Sequence, residues 1–238
     1  MNIYIASEKE FIDMWCVPFF MSLVKTLFPT LKNINNDAII PHWNNEDTPW
    51  DLISKNNDNN LISQINEMNN NLEILDIKNY LDVRFDQSCG KIYIHPSAKI
   101  GQFVRIEGPC FIGKNCEIRH GAYIRGGSWI SEEAIVGHSS EIKNSLFLPG
   151  AKAPHFNYVG DSILGCNVNI GAGVKLSNVR VDRRNIIIKK IDGSKVDSEM
   201  NKLGAIIGDG VQIGCNAVTN PGTIIMAHTK INPNKNVS

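Results

Sequence analysis

Residues 98–142 of the 238-residue chain read AKIGQFVRIEGPCFIGKNCEIRHGAYIRGGSWISEEAIVGHSSEI, and this stretch decides the fold. A branched aliphatic residue stands at every sixth position, and the run begins one step before the stretch. Its members are Ile94, Ile100, Ile106, Ile112, Ile118, Ile124, Ile130, Val136 and Ile142. An unbroken run at this spacing is a hexapeptide repeat.

A smaller side chain precedes these aliphatic residues by two positions. The small residues are Ala98, Val104, Cys110, Cys116, Ala122, Ser128, Ala134 and Ser140. Because side chains alternate across a strand, residues two apart face the same side, so each hexad points one small and one large group inward. Short strands and turns repeated in this way predict a parallel β-helix whose coils bury their apolar rows against one another.

The repeat continues past residue 142 with two five-residue steps and one long interruption. Its large positions are Phe147, Ala153, Val159, Leu164 and Ile170, and then Ile207, Ile213, Thr219, Ile225 and Ile231. The pattern is absent between Gly173 and Gly204, where Asp192-Gly193 follows an apolar run and indicates a hairpin. We therefore predict an inserted loop over residues 175–204 that projects from one corner, as functional insertions commonly do.

Residues 1–90 lack the repeat and carry helix signals instead. Ser7 and Glu10 form a capping box, and Thr48-Pro49 is typical of a helix start. Leu61, Ile65 and Met68 recur at helical spacing. We predict a mainly β chain with a helical N-terminal region over residues 1–90, which caps the first coil, and a parallel β-helix over residues 91–238. The aromatic residues Trp15, Phe19, Phe20 and Trp43 are predicted to serve packing.

Composition excludes several classes of function. The chain has 24 basic and 24 acidic residues and no basic block, which disfavours nucleic-acid binding. The apolar run of residues 14–28 is interrupted by polar residues and is short for a membrane span, and the acidic residues before it disfavour a signal peptide. The six cysteines lack paired metal spacing, and Cys110 and Cys116 take the small inward position of consecutive hexads. We expect a protein of the reducing cytoplasm without a membrane span.

The residues most suited to chemistry lie where the hexads become irregular. Residues 152–161 read KAPHFNYVGD and place His155 and Tyr158 among short repeats. His155 stands at a turn, so its ring is expected to point outward, and an imidazole can accept a proton at neutral pH. Arg125 and Lys143 are eighteen residues apart. A coil with three faces would stack them on one face, one coil apart, and would put His155 on another.

Five segments resemble the acetyltransferase domain of the bacterial bifunctional N-acetylglucosamine-1-phosphate uridyltransferases. They are Tyr123-Ile-Arg-Gly-Gly127, Glu141-Ile-Lys143, His155-Phe-Asn-Tyr-Val-Gly-Asp161, Asn167-Val-Asn-Ile-Gly-Ala-Gly173, and Asn201-Lys202 ahead of Ile206-Ile-Gly-Asp209. The likeness covers residues 94–232 and runs without a gap from Arg125 to Gly173. No Gly-rich nucleotidyl-binding segment precedes it, so uridyl transfer is not expected.

This resemblance implies a left-handed parallel β-helix that assembles as a homotrimer, with active sites between subunits and acetyl-coenzyme A as the acyl donor. By matching position it implies His155 as general base for a sugar amine. The other implied site residues are Arg125 and Lys143 for the phosphate, Tyr158, Asn169 and Lys202 for the sugar pocket, and Ala172, Cys215 and Thr219 along the coenzyme groove. An Arg and a Lys suit an acceptor that bears a phosphate.

We therefore predict an acetyl-coenzyme A-dependent N-acetyltransferase acting on an amino sugar phosphate or a nucleotide-linked amino sugar. Two alternatives stay open. One is a non-catalytic module that binds a nucleotide sugar or coenzyme A. The replacement of the family's Asn-Tyr-Asp-Gly by Ser177-Asn-Val-Arg180 favours it, and the intact run from His155 to Gly173 argues against it. The other is an acyltransferase with a longer acyl donor.

The histidines of the chain also raise the question of a metal site. Trimeric β-helix carbonic anhydrases bind zinc through several histidines, including a close pair five residues apart. Position 160, five after His155, is Gly160, and no such pair exists in the chain. The sequence therefore predicts no metal site.

Overall fold

The computed structural model describes residues 22–34, 37–68, 75–190 and 193–238, and these residues form a parallel β-helix with three flat sides. Each coil contributes one short strand to each of three sheets, in the order sheet 1, sheet 2, sheet 3. The architecture is the predicted one. The capping box at Ser7 and the aromatic residues Trp15, Phe19 and Phe20 lie outside the described residues.

The strands of each sheet pair in parallel with the strands one coil away. Sheet 1 contains β1 (Arg84–Asp86), β4 (Arg105–Glu107), β7 (Tyr123–Ile124), β10 (Glu141–Lys143), β13 (Tyr158–Gly160), β16 (Lys175–Leu176), β21 (Val218–Thr219) and β24 (Asn236–Val237). Sheet 2 contains β2 (Ile92–Ile94), β5 (Cys110–Ile112), β8 (Ser128–Ile130), β11 (Leu146–Phe147), β14 (Ile163–Leu164), β19 (Ile206–Ile207) and β22 (Ile224–Ile225). Sheet 3 contains β3 (Lys99–Ile100), β6 (Glu117–Ile118), β9 (Ile135–His138), β12 (Lys152–His155), β15 (Asn169–Ile170), β20 (Gln212–Ile213) and β23 (Lys230–Ile231).

The interior of the β-helix is the stack of small and large groups that the hexads predict. Ile106, Ile124 and Ile142 stand directly above one another on three successive coils, and all are fully buried. Cys110 and Cys116 fill inward positions, as predicted. Burial raises the pKa of the Cys116 thiol to about 12, so this group stays a neutral packing residue.

The insertion contains the predicted hairpin but begins later than the sequence suggests. Its strands are β17 (Ile187–Lys189) and β18 (Lys195–Asp197), which pair antiparallel. Strand β16 still belongs to sheet 1, so the coil extends to Leu176 and the excursion runs over residues 177–204. At the other end β1 already pairs with β4, so the β-helix starts before residue 91. Residues 177–204 are named the excursion.

The N-terminal region contains short helices that pack along the outer face of sheet 2. They are α1 (Leu23–Leu27), α2 (Leu61–Glu67) and 3-10 turns at Pro29–Asn33 and Pro49–Leu52, whereas a further 3-10 turn at Ile77–Asn79 packs against the interior of the first coil. Leu61 and Ile65 of α2 are fully buried and contact β5 and β8. Within the described part of the N-terminal region, residues 75–83 pack on the first coil, and α1 and α2 cover a side of the β-helix.

The helices lie there because the outward residues of sheet 2 are apolar. Tyr93, Phe111, Trp129, Leu146, Ile163 and Ile206 form a continuous row across neighbouring strands. Residues of the excursion, including Ile188 and Leu203, complete this cover. At the same strand position sheets 1 and 3 mostly present charged and amide side chains. Burying the apolar row against helices removes it from water and leaves the two polar sides uncovered.

Candidate functional site

The turns that join sheet 3 to sheet 1 carry a column of rings, and we call this edge the His155 corner. Phe103, His120, His138 and Phe156 occupy it on four successive coils. Neighbouring ring centroids are 5.5, 5.3 and 5.4 Å apart. Phe103 and Phe156 remain 65% and 57% exposed, which is unusual for side chains of this size.

His155 ends strand β12 and lies beside this column. Its strand neighbour on the preceding coil is His138, and its ring is exposed. The turn that follows is held by Asn157, whose side chain is buried. The backbone N–H of His155 donates to Oδ1 of Asn157 at 3.0 Å, and the Nδ2 of Asn157 donates to the carbonyl of Gly171 at 2.7 Å. Asn157 therefore fixes the backbone that presents the imidazole, a role that its place in the turn could have suggested.

Two of the three predicted coenzyme positions share the His155 corner. The N–H of Gly173 donates to the carbonyl of His155 at 3.0 Å, which sets Ala172 on the next coil. The N–H of Asn216 donates to the carbonyl of Ala172 at 2.9 Å, which sets the exposed Cys215 one coil further. Small side chains thus follow the rings of the earlier coils, and His155 lies on the last coil whose turn carries a ring of the column.

Thr219, the third coenzyme position, requires a correction. It belongs to β21, its side chain faces the interior of the coil, and it is fully buried. A coenzyme in a lateral groove cannot contact this side chain. Thr219 occupies one of the large inward positions of the hexad pattern, and inward residues of a filled β-helix form its core.

Three predicted acceptor residues lie on sheet 1, as the eighteen-residue spacing implies. Arg125 directly follows strand β7, Lys143 ends the neighbouring strand β10, and Tyr158 pairs with Glu141. A guanidinium N–H of Arg125 donates to Oε1 of Glu141 at 2.9 Å. The Tyr158 hydroxyl accepts from Nδ2 of Asn178 at 3.2 Å. Burial raises the pKa of Tyr158 above its ordinary value, so the hydroxyl keeps its proton as a hydrogen-bond donor at neutral pH.

The turns that join sheet 1 to sheet 2 form a second edge, the Lys143 corner. Nζ of Lys143 lies 2.9 and 3.1 Å from the two carboxylate oxygens of Asp161, whose side chain is only 3% exposed. The same carboxylate accepts from Nδ2 of Asn144 at 2.9 Å and from Nδ2 of Asn178. The roles of Asp161 and Asn178 are not apparent from the sequence, because single polar residues in turns follow no repeating pattern.

A cavity of about 410 Å³ opens at the Lys143 corner. It brings Lys143 together with Lys202 of the excursion, as the resemblance implies, and with Lys55 of the N-terminal region. Asn169 is placed elsewhere. It lies on sheet 3 beside Lys152, so within one chain it faces a different side from Tyr158.

The described part of the chain adds two general findings. No group of three or more His, Cys, Asp or Glu side chains among these residues is arranged to hold a metal ion. None of their helices is long and apolar enough to cross a membrane.

Comparison with known proteins gives consistent relatives. The chain is 37% identical over 196 residues to the bifunctional protein GlmU of Methanococcus maripaludis. It is 34% identical over 196 residues to a bifunctional sugar-1-phosphate nucleotidylyltransferase/acetyltransferase of Sulfurisphaera tokodaii. Each match covers 81% of this chain but only 44% and 45% of the relative, so the chain spans about half the length of these proteins.

A relative of similar length is an uncharacterized acetyltransferase, YaiX, of Escherichia coli. It is 30% identical over 214 residues, which is 90% of both proteins. Among solved structures, a hexapeptide transferase family protein from Anaplasma phagocytophilum covers 63% of this chain and 74% of its own, with 16% identity and a TM-score of 0.30. No family model matches the chain.

Proposed function

The chain belongs to the hexapeptide-repeat acetyltransferases, and from this premise we propose that it transfers the acetyl group of acetyl-coenzyme A to an amino sugar that bears a phosphate or a nucleotide. The product would be an amide, with coenzyme A released as its thiol. The observation that carries the proposal is the position of His155. It stands between the small residues Ala172 and Cys215 of the following coils and the polar face of sheet 1.

Each side of His155 suits one reactant. Acetyl-coenzyme A supplies an activated acyl group as a thioester. The corner beyond His155 carries Ala172 and Gly173 on the next coil and Cys215 and Asn216 on the one after, where earlier coils carry rings, so a long thin molecule would meet less bulk there. On the other side, Tyr158 offers a protonated hydroxyl, and Arg125 and Lys143 offer cationic donors for a phosphate.

The reaction needs the chain to accept one proton from the amine and to return a proton to the departing thiolate, so that coenzyme A leaves as its thiol. A protonated amine is not nucleophilic, and the amine loses a proton as it attacks the thioester carbonyl. His155 accepts this proton, which an exposed imidazole held by a fixed turn can do at neutral pH. Arg125 and Lys143 hold the phosphate at a distance from the imidazole, so the amine rather than the phosphate meets the base.

We further propose a homotrimer with the sites between subunits. Sheet 2 is covered by the N-terminal helices and the excursion, so sheets 1 and 3 are the sides available to neighbours. The His155 corner lies between these two sides and carries exposed rings that water solvates poorly. In such an assembly Asn169 on sheet 3 of one subunit faces sheet 1 of the next, where Tyr158 lies.

The proposal is tested by measuring thiol release from acetyl-coenzyme A against a panel of amino sugar phosphates and nucleotide-linked amino sugars. His155→Asn is expected to lower kcat by at least about 100-fold, because the amide cannot act as a base. The matched control is His228→Asn, since His228 is exposed on a different corner and Asn tolerates its left-handed backbone. Unchanged turnover in His155→Asn excludes the mechanism, whereas sugar binding without any thiol release supports a non-catalytic binding module.

A further inference from the structure

The cavity at the Lys143 corner is built by three separate parts of the chain. The N-terminal region supplies residues 53–56, sheet 1 and its turns supply Lys143, Asn144 and Asp161, and the excursion supplies Asn185 and residues 199–202. Neither the N-terminal region nor the excursion belongs to the repeat. Their meeting at one edge of sheet 1 therefore makes a wall that the β-helix alone does not have.

The wall ties its parts together through buried polar groups. Asn144 donates one Nδ2 proton to the carbonyl of Ile53 at 3.0 Å and shares the other with Asp161 at 2.9 Å. The N–H of Gly204 donates to the carbonyl of Asp161 at 2.7 Å. Asn178, at the start of the excursion, donates to the carboxylate of the same residue. Both ends of the excursion and the N-terminal region are therefore anchored on Asp161 and Asn144.

The residues that line the cavity carry more cationic side chains than anionic ones. Lys143 is paired with Asp161, but Lys55 and Lys202 form no ion pair with any described residue. Glu199 is the only other charged residue among those lining the cavity. Three other amides, which can donate to phosphate oxygens, also line it: Asn56, Asn185 and Asn201. The lining therefore holds three ammonium groups against two carboxylates, and this net positive charge beside amide donors favours an anionic ligand.

The position of the cavity sets which part of the acceptor enters it. Strand β13 separates the His155 corner from the Lys143 corner, and its three residues span roughly 10 Å. A sugar over Tyr158, with its amine at His155, brings one phosphate to Arg125 and Lys143. The cavity continues beyond Lys143 to Lys55 and Lys202.

We propose that this cavity is a diphosphate subsite and that the acceptor is an amino sugar linked to a nucleoside diphosphate, not a sugar monophosphate. Lys55 is then a specificity-determining residue that holds the second phosphate. The inference rests on the proposed function for the location of the amine, but the binding of a diphosphate is separate from acetyl transfer. It assigns to the N-terminal region a direct role in choosing the substrate.

Binding of inorganic pyrophosphate and inorganic phosphate to the full chain tests the subsite by calorimetry. Wild type is expected to bind pyrophosphate at least about 10-fold more tightly, and Lys55→Ala is expected to remove about 10-fold of pyrophosphate affinity while changing phosphate affinity less than about two-fold. Lys114→Ala is the matched control, because Lys114 is exposed on a different corner. Equal affinities for the two anions, or a Lys55→Ala variant that binds pyrophosphate like wild type, would overturn the subsite.

A second measurement separates the subsite from the chemistry. Thiol release is compared for glucosamine 1-phosphate and uridine-diphosphate-linked glucosamine, with kcat/KM for the diphosphate-linked sugar expected to be higher and to fall about 10-fold in Lys55→Ala. No thiol release from any amino sugar, with Lys55-dependent pyrophosphate binding intact, refutes the proposed function and supports the subsite. Faster turnover of the monophosphate, unaffected by Lys55→Ala, refutes the subsite and supports the function.

Discussion

At the residue scale, Asp161 is the group on which the acceptor side of the site depends. Its buried carboxylate pairs with Nζ of Lys143 and accepts a hydrogen bond from the side-chain amide of Asn178. The same amide of Asn178 donates to the Tyr158 hydroxyl. Asp161 is almost fully buried and is engaged by Lys143, Asn144 and Asn178, so it acts as a positioning residue. A carboxylate this buried is stabilised by its ammonium and amide partners, and it fixes where they point.

Asp161→Asn is therefore expected to weaken the acceptor side and leave the donor side intact. KM for the amino sugar should rise about 10-fold while KM for acetyl-coenzyme A changes less than about two-fold. The free energy of unfolding should fall by roughly 1–3 kcal/mol, because Lys143 loses its partner but stays partly solvated. Steady-state kinetics and urea unfolding measure these effects.

Asp182→Asn is the control for that change, since Asp182 pairs with Arg180 on the exposed surface of the excursion. It should alter neither KM nor the unfolding midpoint. A merely structural role for Asp161 would lower stability without separating the two KM values.

The cysteines give a second test at this scale. Cys215 is exposed and lies on the coil beyond Ala172, where the coenzyme is proposed to run, whereas Cys89 is exposed far from it. Coenzyme A is expected to slow alkylation of Cys215 at least about five-fold and to leave Cys89 unchanged, as read by mass spectrometry. Cys110 and Cys116 should stay unmodified in the folded chain, because burial raises the pKa of both thiols. Equal protection of Cys89 and Cys215 would contradict the proposed groove.

At the scale of elements, the inward residues could be predicted from the sequence because their period is regular. The outward residues also follow a pattern, although the predictions from the sequence rest on the inward residues. The residue before each large inward group points outward, and along sheet 2 it is Tyr93, Phe111, Trp129 and their apolar successors. That row indicates a covered side. If every third hexad is assigned to the same sheet, the apolar row falls on the outer face of sheet 2. The N-terminal helices are then predicted to cover sheet 2 and not the end of the β-helix.

The remainder of the site could not be predicted in the same way. The excursion and residues 53–56 meet only after folding, through single hydrogen bonds such as the one from Asn144 to the carbonyl of Ile53. Such contacts join residues far apart in the chain and repeat nowhere, so no local pattern reports them. The cavity with Lys55 is a product of these contacts.

The cover of sheet 2 leads to a prediction about stability. Ile65→Ala removes a fully buried side chain between α2 and strands β5 and β8, and it is expected to lower the free energy of unfolding by about 2–4 kcal/mol. Glu67→Ala on the exposed side of the same helix should change it by less than about 0.5 kcal/mol. Chemical denaturation measures both. Equal effects of the two substitutions would mean that the helix does not pack on sheet 2 in solution.

At the scale of the whole molecule, the three sides of the β-helix differ in what they can do. One side is covered by the chain itself, and the other two are polar and meet at an edge that carries exposed rings. A closed ring of three copies places that edge of every subunit near the symmetry axis, and each sheet 1 then faces a sheet 3. The residues predicted from the resemblance divide in the same way, with Asn169 on sheet 3 and Tyr158 on sheet 1.

This assembly is tested by removing the rings while keeping the backbone. Phe103 and Phe156 both adopt left-handed backbone angles, which Asn accepts, so the double variant Phe103→Asn, Phe156→Asn should fold normally. Light scattering is expected to give three times the 26.5 kDa chain mass for wild type and the mass of one chain for the variant, with at least about a 100-fold loss of thiol release. Val181→Asn, which replaces a fully exposed apolar residue of the excursion, should remain a trimer with wild-type activity. A wild-type chain that is monomeric and active would refute the shared site, because a single subunit would then bring Asn169 and Tyr158 to different sides of the molecule.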